Sequence, residues 1–352
     1  MSMMSSKPDE KAAALELALR AKIAAKAKPA GALGRLEDLA VQIGLVTGQL
    51  TPDLGGARLL IFAGDHGITA EQITAYPSQV TGEIVRLVLA GKAGANICVS
   101  AIGAEIVVVD AGLLVSLDEQ PGLISRRMGA GTRNARREPA MSLATYQAAF
   151  DAGQGVVRDL IKQGAGIFAL GEIGIGNSGA AALLAHAATD IPLVTLVGPG
   201  TGPPKKGLDH KRQVLAETYA RAFAGEIDCD PRRAFAEFAG FEMVMMAGAI
   251  AAIADAGKIA IIDGFIGTSV AAGLFAIAPK AKAACVFAHL SGEPGHKALL
   301  AALGRTPLFD LGLRLGEGTG AALAIPFVRA AEKLLSEMAD LPGGDHPEHL
   351  GS

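Results

Sequence analysis

The stretch Ile167-Phe168-Ala169-Leu170-Gly171-Glu172-Ile173-Gly174-Ile175-Gly176-Asn177-Ser178-Gly179 passes from a short apolar run into a glycine-rich turn, and an alanine-rich segment follows it. An apolar run that ends in such a turn and restarts as a helix is typical of the βα unit. Six more short apolar runs lie at residues 57–63, 104–109, 193–197, 259–262, 284–288 and, more weakly, 307–311. Most are continuous rather than alternating, which is typical of strands buried on both faces of a parallel sheet. The sequence therefore predicts an α/β fold with helices on both faces of a parallel sheet.

Helical patterns lie between these runs and at both ends of the chain. A helix is predicted at 9–27, and a second one follows the turn at 28–34 and runs to about residue 46. Further helices are predicted at 178–188, 232–256 and 318–339. We expect a Rossmann-like three-layer α/β/α domain at 51–329. We expect a small helical domain from residues 1–50 together with 330–352, with a disordered tail after residue 342.

The composition excludes several classes of protein. Half of the 352 residues are apolar and 19% are charged, which allows a large core and argues against disorder. A net charge of −3, the lack of a basic stripe and the lack of tryptophan argue against nucleic-acid binding. The 20-residue apolar stretch at 259–278 contains a turn, so we interpret it as a buried strand and helix rather than a membrane span.

The chain also predicts a reducing environment. Cys98, Cys229 and Cys285 lie far apart and form no CxxC pair, and the first 28 residues are charged throughout rather than signal-like. We therefore expect a cytoplasmic location, with Cys98 and Cys285 as buried small apolar residues.

The turn at 171–179 contains four glycines together with the polar residues Glu172, Asn177 and Ser178. From Gly174 it reads GxGxxG, but the next apolar run ends in glycines rather than in the acidic residue of a dinucleotide site. From Gly171 it reads GxxxxG without the lysine of a P-loop. A monophosphate site is the simplest functional interpretation, because backbone N–H groups at a helix start bind anions. Glycines that allow close helix–strand packing are the structural alternative.

Other polar residues invite more than one interpretation. Lys211 stands at a predicted helix start after the glycine-rich segment 198–202, where a phosphate contact would explain it, whereas Lys205 and Lys206 suit a solvated loop. Asp65-His66 resembles a catalytic dyad or a metal site, but neighbouring residues on an extended chain point apart. His289 and His296 lack the spacing of helical zinc ligands, so no metal is expected.

Two carboxylates remain as candidate catalysts. Glu172 and Glu317 each lie in a glycine-rich turn, and both turns are expected at the same edge of the sheet. A water-poor crevice raises the pKa of a carboxylate and suits it to general-base catalysis. A carboxylate favoured by a helix N-terminus is the structural alternative. No GxSxG motif is present, which argues against a serine hydrolase.

These turns, in this order, resemble one enzyme family, the nicotinate-nucleotide–dimethylbenzimidazole phosphoribosyltransferases of cobalamin nucleotide-loop assembly. The resemblance runs from about residue 28 to about residue 340. It lies in the segments 63–67, 76–77, 80–81, 109–112, 171–177, 263–265, 289–293 and 313–322.

The resemblance implies a reaction. The phosphoribosyl group of nicotinate mononucleotide passes to 5,6-dimethylbenzimidazole, by inversion at C1′, to give α-ribazole 5′-phosphate and nicotinate. Glu317 is implied as the general base and Glu172 as a second active-site carboxylate. It implies no cofactor and no metal, small-molecule substrates and a homodimer.

The resemblance also assigns binding residues. Nucleotide and phosphate contacts are implied for Gly174, Gly176, Asn177, Ser178, Gly200, Lys211, Ser291 and Gly292, and contacts to the aromatic base for Tyr76, Pro77, Ile84 and Leu315. The chain departs from many relatives at Ser178-Gly179 and at Pro199, where Ser178 keeps the hydroxyl that phosphate binding needs. It departs from some relatives at Ile84, which leaves the preferred base open. The alternatives are a nucleotide-binding sensor without turnover and an NAD-type oxidoreductase that uses residues 174–179.

Overall fold

The computed structural model describes residues 6–200, 205–224 and 230–342, with side chains from residue 10 and, in the second range, from residue 207. Six parallel strands in these ranges form one sheet of order β3-β2-β1-β4-β5-β6. The strands are β1 (Gly56–Gly64), β2 (Glu105–Gly112), β3 (Leu123–Ser125), β4 (Ala165–Ile173), β5 (Ile259–Ile262) and β6 (Cys285–Phe287).

Helices connect the strands and extend the chain at both ends. They are α1 (Ser6–Ala24), α2 (Arg35–Thr47), α3 (Gln79–Leu89), α4 (Gly94–Ser100), α5 (Leu143–Lys162), α6 (Asn177–Thr189), α7 (Leu193–Leu196), α8 (Lys205–Phe223), α9 (Pro231–Phe238), α10 (Phe241–Asp255), α11 (Gly264–Ile277), α12 (His296–Ala302) and α13 (Thr319–Ser336). Short 3₁₀ segments lie at Gly67–Glu71 and Pro279–Ala284.

The sheet divides the core into two layers because successive strand residues point to opposite faces. Leu60 and Phe62 of β1 face a core shared with α5, α6 and α8 to α12. Leu59 and Ile61 face a second core shared with α1 to α4 and α13. The predicted three-layer α/β/α architecture is therefore confirmed.

The helices of the two termini pack together. Helix α2 contacts both α1 and α13, and Lys26 forms an ion pair with Asp340. These helices also share the core on one face of the sheet. Their division from residues 51–329 as a separate domain stays a prediction, and the tail after residue 342 lies outside the described residues.

Three local predictions are wrong. The apolar run at 193–197 is not a strand but contains the one-turn helix α7, with Val194 exposed to solvent. The run at 307–311 forms only one bridge, from Phe309 to His289. The predicted helix at 232–256 is two helices, α9 and α10, separated at Ala239-Gly240. Strand β3 was not predicted.

The strand order fixes where a ligand can bind. The chain builds β1 to β3 outward on one side of the sheet and β4 to β6 on the other, so the direction reverses between β1 and β4. Crevices in such sheets open at the carboxyl ends of the strands near this reversal. No helix in the described ranges is long and apolar enough to cross a membrane, and 259–278 forms β5 and α11 as predicted.

Candidate active site

A crevice of about 940 Å³, open mouth included, lies over the carboxyl ends of β4, β5 and β6. The predicted site residues that line it are Ile84, Glu172, Gly174, Asn177, Ser178, Gly200, Ser291, Leu315 and Glu317. Lining residues that were not predicted as site residues include Asp263, Phe265, Ile266, His289, Glu293 and Arg314. The structure therefore brings together residues that are up to 233 positions apart in the chain, from Ile84 to Glu317.

Glu317 lies in a turn in which three successive residues have a left-handed backbone conformation. Its φ is 59°, and the flanking Gly316 and Gly318 have φ of 83° and 76°. A left-handed conformation costs a residue with a Cβ about 1–2 kcal/mol, so the surrounding structure must enforce it. It does so through the Gly316 carbonyl, which accepts hydrogen bonds from both N and Oγ1 of Thr319. The turn holds Glu317 directly before α13.

The Glu317 carboxylate is 9% exposed and held by one backbone donor. Its Oε2 accepts a hydrogen bond of 3.2 Å from the N–H of Ala95, at the start of α4. Burial raises the pKa of this carboxyl group, and the Ala95 bond partly offsets the effect. The apolar side chains of Ile84 and Leu315 line the same crevice. A largely buried carboxylate thus shares the crevice with apolar side chains that suit an aromatic ring.

Glu172, near the end of β4, is buried close to other carboxylates. It accepts a hydrogen bond from Asn177 Nδ2, and a Cβ atom at Gly316 would lie 3.0 Å from its Oε1. Burial, together with the negative charges of Asp263, Glu242 and Glu317, raises the pKa of Glu172 to about 8. Glu172 is therefore mainly protonated at neutral pH, with a hydrogen-bond donor to offer.

Ser178 and Gly200 line the crevice, and the buried Lys211 lies behind them. Lys211 Nζ donates to Ser178 Oγ at 3.0 Å and to the carbonyl of Gly198 at 3.1 Å. Burial lowers the pKa of this lysine to about 8, while the charge of Glu293 opposes the shift. A Cβ atom at Gly200 would lie 3.4 Å from Nζ. A buried cation beside a hydroxyl suits a phosphate group.

The backbone of the glycine-rich turn at 171–179 offers fewer free N–H groups to a ligand than the sequence predicts. The N–H of Ile175 donates to Thr81 Oγ1 at 3.1 Å. The N–H groups of Asn177 and Gly179 donate to the carbonyls of Gly174 and Gly176. These donors are used inside the protein, so the side chains of Asn177 and Ser178 are the turn's better candidates for ligand contact.

Asp263 and His289 form a pair that the sequence reasoning did not select. His289 Nε2 lies 3.3 Å from Asp263 Oδ1, which also accepts a hydrogen bond of 2.8 Å from the N–H of Ala321. Although burial opposes it, the bond to Asp263 and its charge raise the pKa of His289. Their positions at the ends of β5 and β6 were the available signal, since carboxyl-terminal strand ends line such crevices.

Asp65 and His66 do not act on each other as a dyad. His66 Nε2 lies 2.6 Å from Oε1 of Glu242, a buried carboxylate in α10, whereas Asp65 Oδ2 accepts a hydrogen bond from the N–H of Leu114. Although burial opposes it, the charge and hydrogen bond of Glu242 raise the pKa of His66. Among the residues that the structure describes, no three His, Cys, Asp or Glu side chains group closely enough to hold a metal ion.

Five predicted site residues do not line the crevice: Lys211, which lies behind Ser178, and four others. Gly176 caps α6 with φ of 97° and packs on Thr69, and Gly292 donates its N–H to the carbonyl of Leu313. Tyr76, 52% exposed, and Pro77 precede α3, the helix that carries Ile84. Their contacts with substrate stay predictions. Cys98 is half-buried and Cys285 buried, and Cys229 and the side chains of Lys205 and Lys206 lie outside the described residues.

Comparison with known proteins places this chain in a family. A phosphoribosyltransferase family model matches residues 7–343. The chain is 44% identical over 325 residues to the nicotinate-nucleotide–dimethylbenzimidazole phosphoribosyltransferase of Dechloromonas aromatica, covering 92% of this chain and 93% of the relative. It is 43% identical over 330 residues to the protein of the same name from Cupriavidus taiwanensis, covering 94% of each.

A solved structure supports the same family assignment. The crystal structure of CobT from Thermus thermophilus matches with a TM-score of 0.88 and 38% identity, over 93% of this chain and 97% of that one. The matches extend over nearly the whole chain, and the relatives share both its sequence and its fold. The chain therefore belongs to the nicotinate-nucleotide–dimethylbenzimidazole phosphoribosyltransferase family.

Proposed function

We propose that this enzyme transfers the 5-phosphoribosyl group of nicotinate mononucleotide to 5,6-dimethylbenzimidazole, with Glu317 as the general base. The observation that carries the proposal is the largely buried Glu317 carboxylate. It shares its crevice with the apolar side chains of Ile84 and Leu315 and with Ser178, whose hydroxyl Lys211 contacts. The apolar side chains suit a flat aromatic base, and the lysine with its hydroxyl partner suits a phosphate.

The reaction is a single displacement at ribose C1′. One ring nitrogen of dimethylbenzimidazole attacks C1′ and forms the new C–N bond. The bond to the pyridinium nitrogen breaks, and its electron pair stays on nicotinate as a neutral ring nitrogen. The other ring nitrogen of the attacking base loses its proton to Glu317, which leaves the product ring uncharged. Attack on the face opposite the leaving group inverts C1′ and gives α-ribazole 5′-phosphate.

The surroundings of Glu317 suit this role. Ala95 N–H binds Oε2, which fixes the carboxylate and leaves Oε1 for the ring N–H of the substrate. Burial raises the pKa of Glu317, and a stronger base accepts the ring proton more readily. A base in this role contributes typically about 10²–10⁴ in rate.

Glu172 supports the reaction as a neutral group in this proposal. With a pKa of about 8, it adds little second negative charge beside Glu317 at neutral pH. Its proton is available to a ribose hydroxyl, while Asn177 holds its other oxygen in place. Lys211, behind Ser178, supplies the positive charge for the 5′-phosphate. The homodimer stays a prediction from the family resemblance.

Chromatographic detection of nicotinate tests the proposal. Nicotinate release from nicotinate mononucleotide is measured with and without 5,6-dimethylbenzimidazole, for the wild type and for Glu317→Ala. We expect release that depends on the base and falls at least about 10²-fold in the variant. Folded wild-type protein that binds the nucleotide but releases no nicotinate with any benzimidazole would instead indicate a sensor without turnover.

A further inference from the structure

His296, the first residue of α12, makes two hydrogen bonds that link two segments next to the crevice. The residue is 1% exposed. Its Nδ1 accepts a hydrogen bond of 2.9 Å from the N–H of Ser291. Its Nε2 lies 2.9 Å from Thr268 Oγ1 in α11. One imidazole ring thus joins the turn after β6 to the helix after β5.

These bonds fix the tautomer of the ring. The hydroxyl of Thr268 has one hydrogen, which it donates to the carbonyl of Gly264 at 2.6 Å. Nε2 of His296 must therefore carry a proton and donate it to Thr268, while Nδ1 carries the lone pair that accepts from Ser291. The ring is neutral in this arrangement, because an imidazolium has no acceptor. Burial, together with the charge of nearby His289, lowers the pKa of His296 to about 3.

The two ends of this chain of bonds both line the crevice. Ser291 and Gly264 are part of its wall, and Ser291 is 8% exposed. We propose that His296 is a positioning residue, which locks the Ser291 turn against the start of α11 so that the turn meets the bound nucleotide. The inference rests on the proposed function, since it takes nicotinate mononucleotide as the ligand. His296 itself does not line the crevice and acts through Ser291.

A neutral histidine is well suited to this role. The position needs an acceptor toward Ser291 and a donor toward Thr268, on one rigid ring. Protonation would place N–H against N–H at Ser291 and break the link. Lysine or arginine has no acceptor and a carboxylate has no donor when ionised, so neither satisfies both sides.

Steady-state kinetics with nicotinate mononucleotide tests the inference, using His296→Phe and Thr268→Val. His296→Phe removes both bonds at similar volume, and Thr268→Val removes the partner on α11. Ser269→Ala is the matched control, because within the described residues Ser269 Oγ bonds the Phe265 carbonyl of its own helix and not His296. We expect KM for the nucleotide to rise about tenfold, equivalent to one hydrogen bond, with kcat at saturation nearly unchanged. Ser269→Ala should keep the wild-type KM.

A spectroscopic readout accompanies the kinetics. In wild-type protein labelled with ¹⁵N-histidine, we expect His296 to show an unprotonated Nδ1 and a protonated Nε2, without titration between about pH 5 and 9, where an ordinary histidine titrates. A titrating His296, the opposite tautomer, or variants that lose stability while keeping the wild-type KM would overturn the inference. Wild-type protein without base-dependent nicotinate release would instead defeat the proposed function, so the two failures are distinguishable.

Discussion

Gly171 and Gly318 touch backbone to backbone, although 147 positions separate them in the chain. A Cβ atom at Gly171 would lie 2.5 Å from the nitrogen of Gly318 and 2.6 Å from the carbonyl carbon of Glu317. Gly171 lies in β4, one residue before Glu172. This contact is what seats the Glu317 turn over the end of the central strand and places both carboxylates at one edge of the sheet.

Replacing Gly171 with alanine should therefore displace Glu317. We expect Gly171→Ala to lower kcat by about 10²-fold, because a shift of about 1 Å in a catalytic group costs that much. Gly155→Ala in α5 is the control, since a Cβ atom there meets nothing within 4 Å. Steady-state rates of nicotinate release provide the measurement, and unchanged kcat in Gly171→Ala would mean that the turn tolerates the shift.

The backbone of Glu317 predicts an unusual order of stability. At a φ of 59°, glycine avoids a strain of about 1–2 kcal/mol that alanine retains. Glu317→Gly should therefore be more stable to denaturant than Glu317→Ala by about 1 kcal/mol, although both lose activity. At Gly155, inside α5, alanine should be the more stable residue. Equal unfolding free energies for the two Glu317 variants would contradict the strained conformation.

Lys211 predicts an alkaline limit to nucleotide binding. Its pKa of about 8 means that the free enzyme loses this positive charge as pH rises through 8. We expect kcat/KM for nicotinate mononucleotide to fall above that pH, since kcat/KM reports ionisations of the free enzyme. Because Glu172 has a similar pKa, the comparison is made in the Glu172→Gln background, where Lys211→Ala should give a low value and remove the fall above pH 8. Lys162→Ala, at the exposed end of α5, should keep it. A fall that persists in Lys211→Ala belongs to another group.

Glu172 predicts how stability depends on pH. Its pKa is raised from 4.5 to about 8 on folding, so the native state binds more protons than the unfolded state between these values. Stability then falls as pH rises through this window. Compared with the wild type, Glu172→Gln should gain unfolding free energy over the same window, by at most about 1.4 kcal/mol per pH unit. Denaturant titrations at several pH values measure this, and a constant difference would show that Glu172 is ionised throughout.

The strands were predictable where their burial requires a continuous run of apolar residues. The continuous apolar runs of β1 and β4 follow from strands covered by helices on both faces. The run at 193–197 is equally apolar, but a run of five residues does not distinguish a strand from one helical turn. Strand β3 has three residues and lies at the edge of the described sheet, beside β2, so it carries no core pattern.

The sequence indicated which turns form the candidate site, but it did not indicate which distant residues contact the side chains in those turns. Glu172 and Glu317 are marked by the glycines around them. Ala95, which binds the Glu317 carboxylate, lies 222 residues away, and Glu242 reaches His66 across 176 residues. Such contacts depend on how the layers pack, which local periodicity does not encode. The resemblance to a known family supplied the residue assignments that local patterns leave open.

The pH dependence of kcat/KM for 5,6-dimethylbenzimidazole, in wild type and Glu317→Gln, tests the role of Glu317 most directly. Rates are expressed per concentration of the neutral base, so that protonation of the substrate is removed from the profile. The wild type should lose activity at acid pH as Glu317 is protonated. Glu317→Gln should be slower by about 10²–10⁴-fold and flat over that range. A variant that keeps the acid limb, or that keeps the wild-type rate, would show that another group takes the proton.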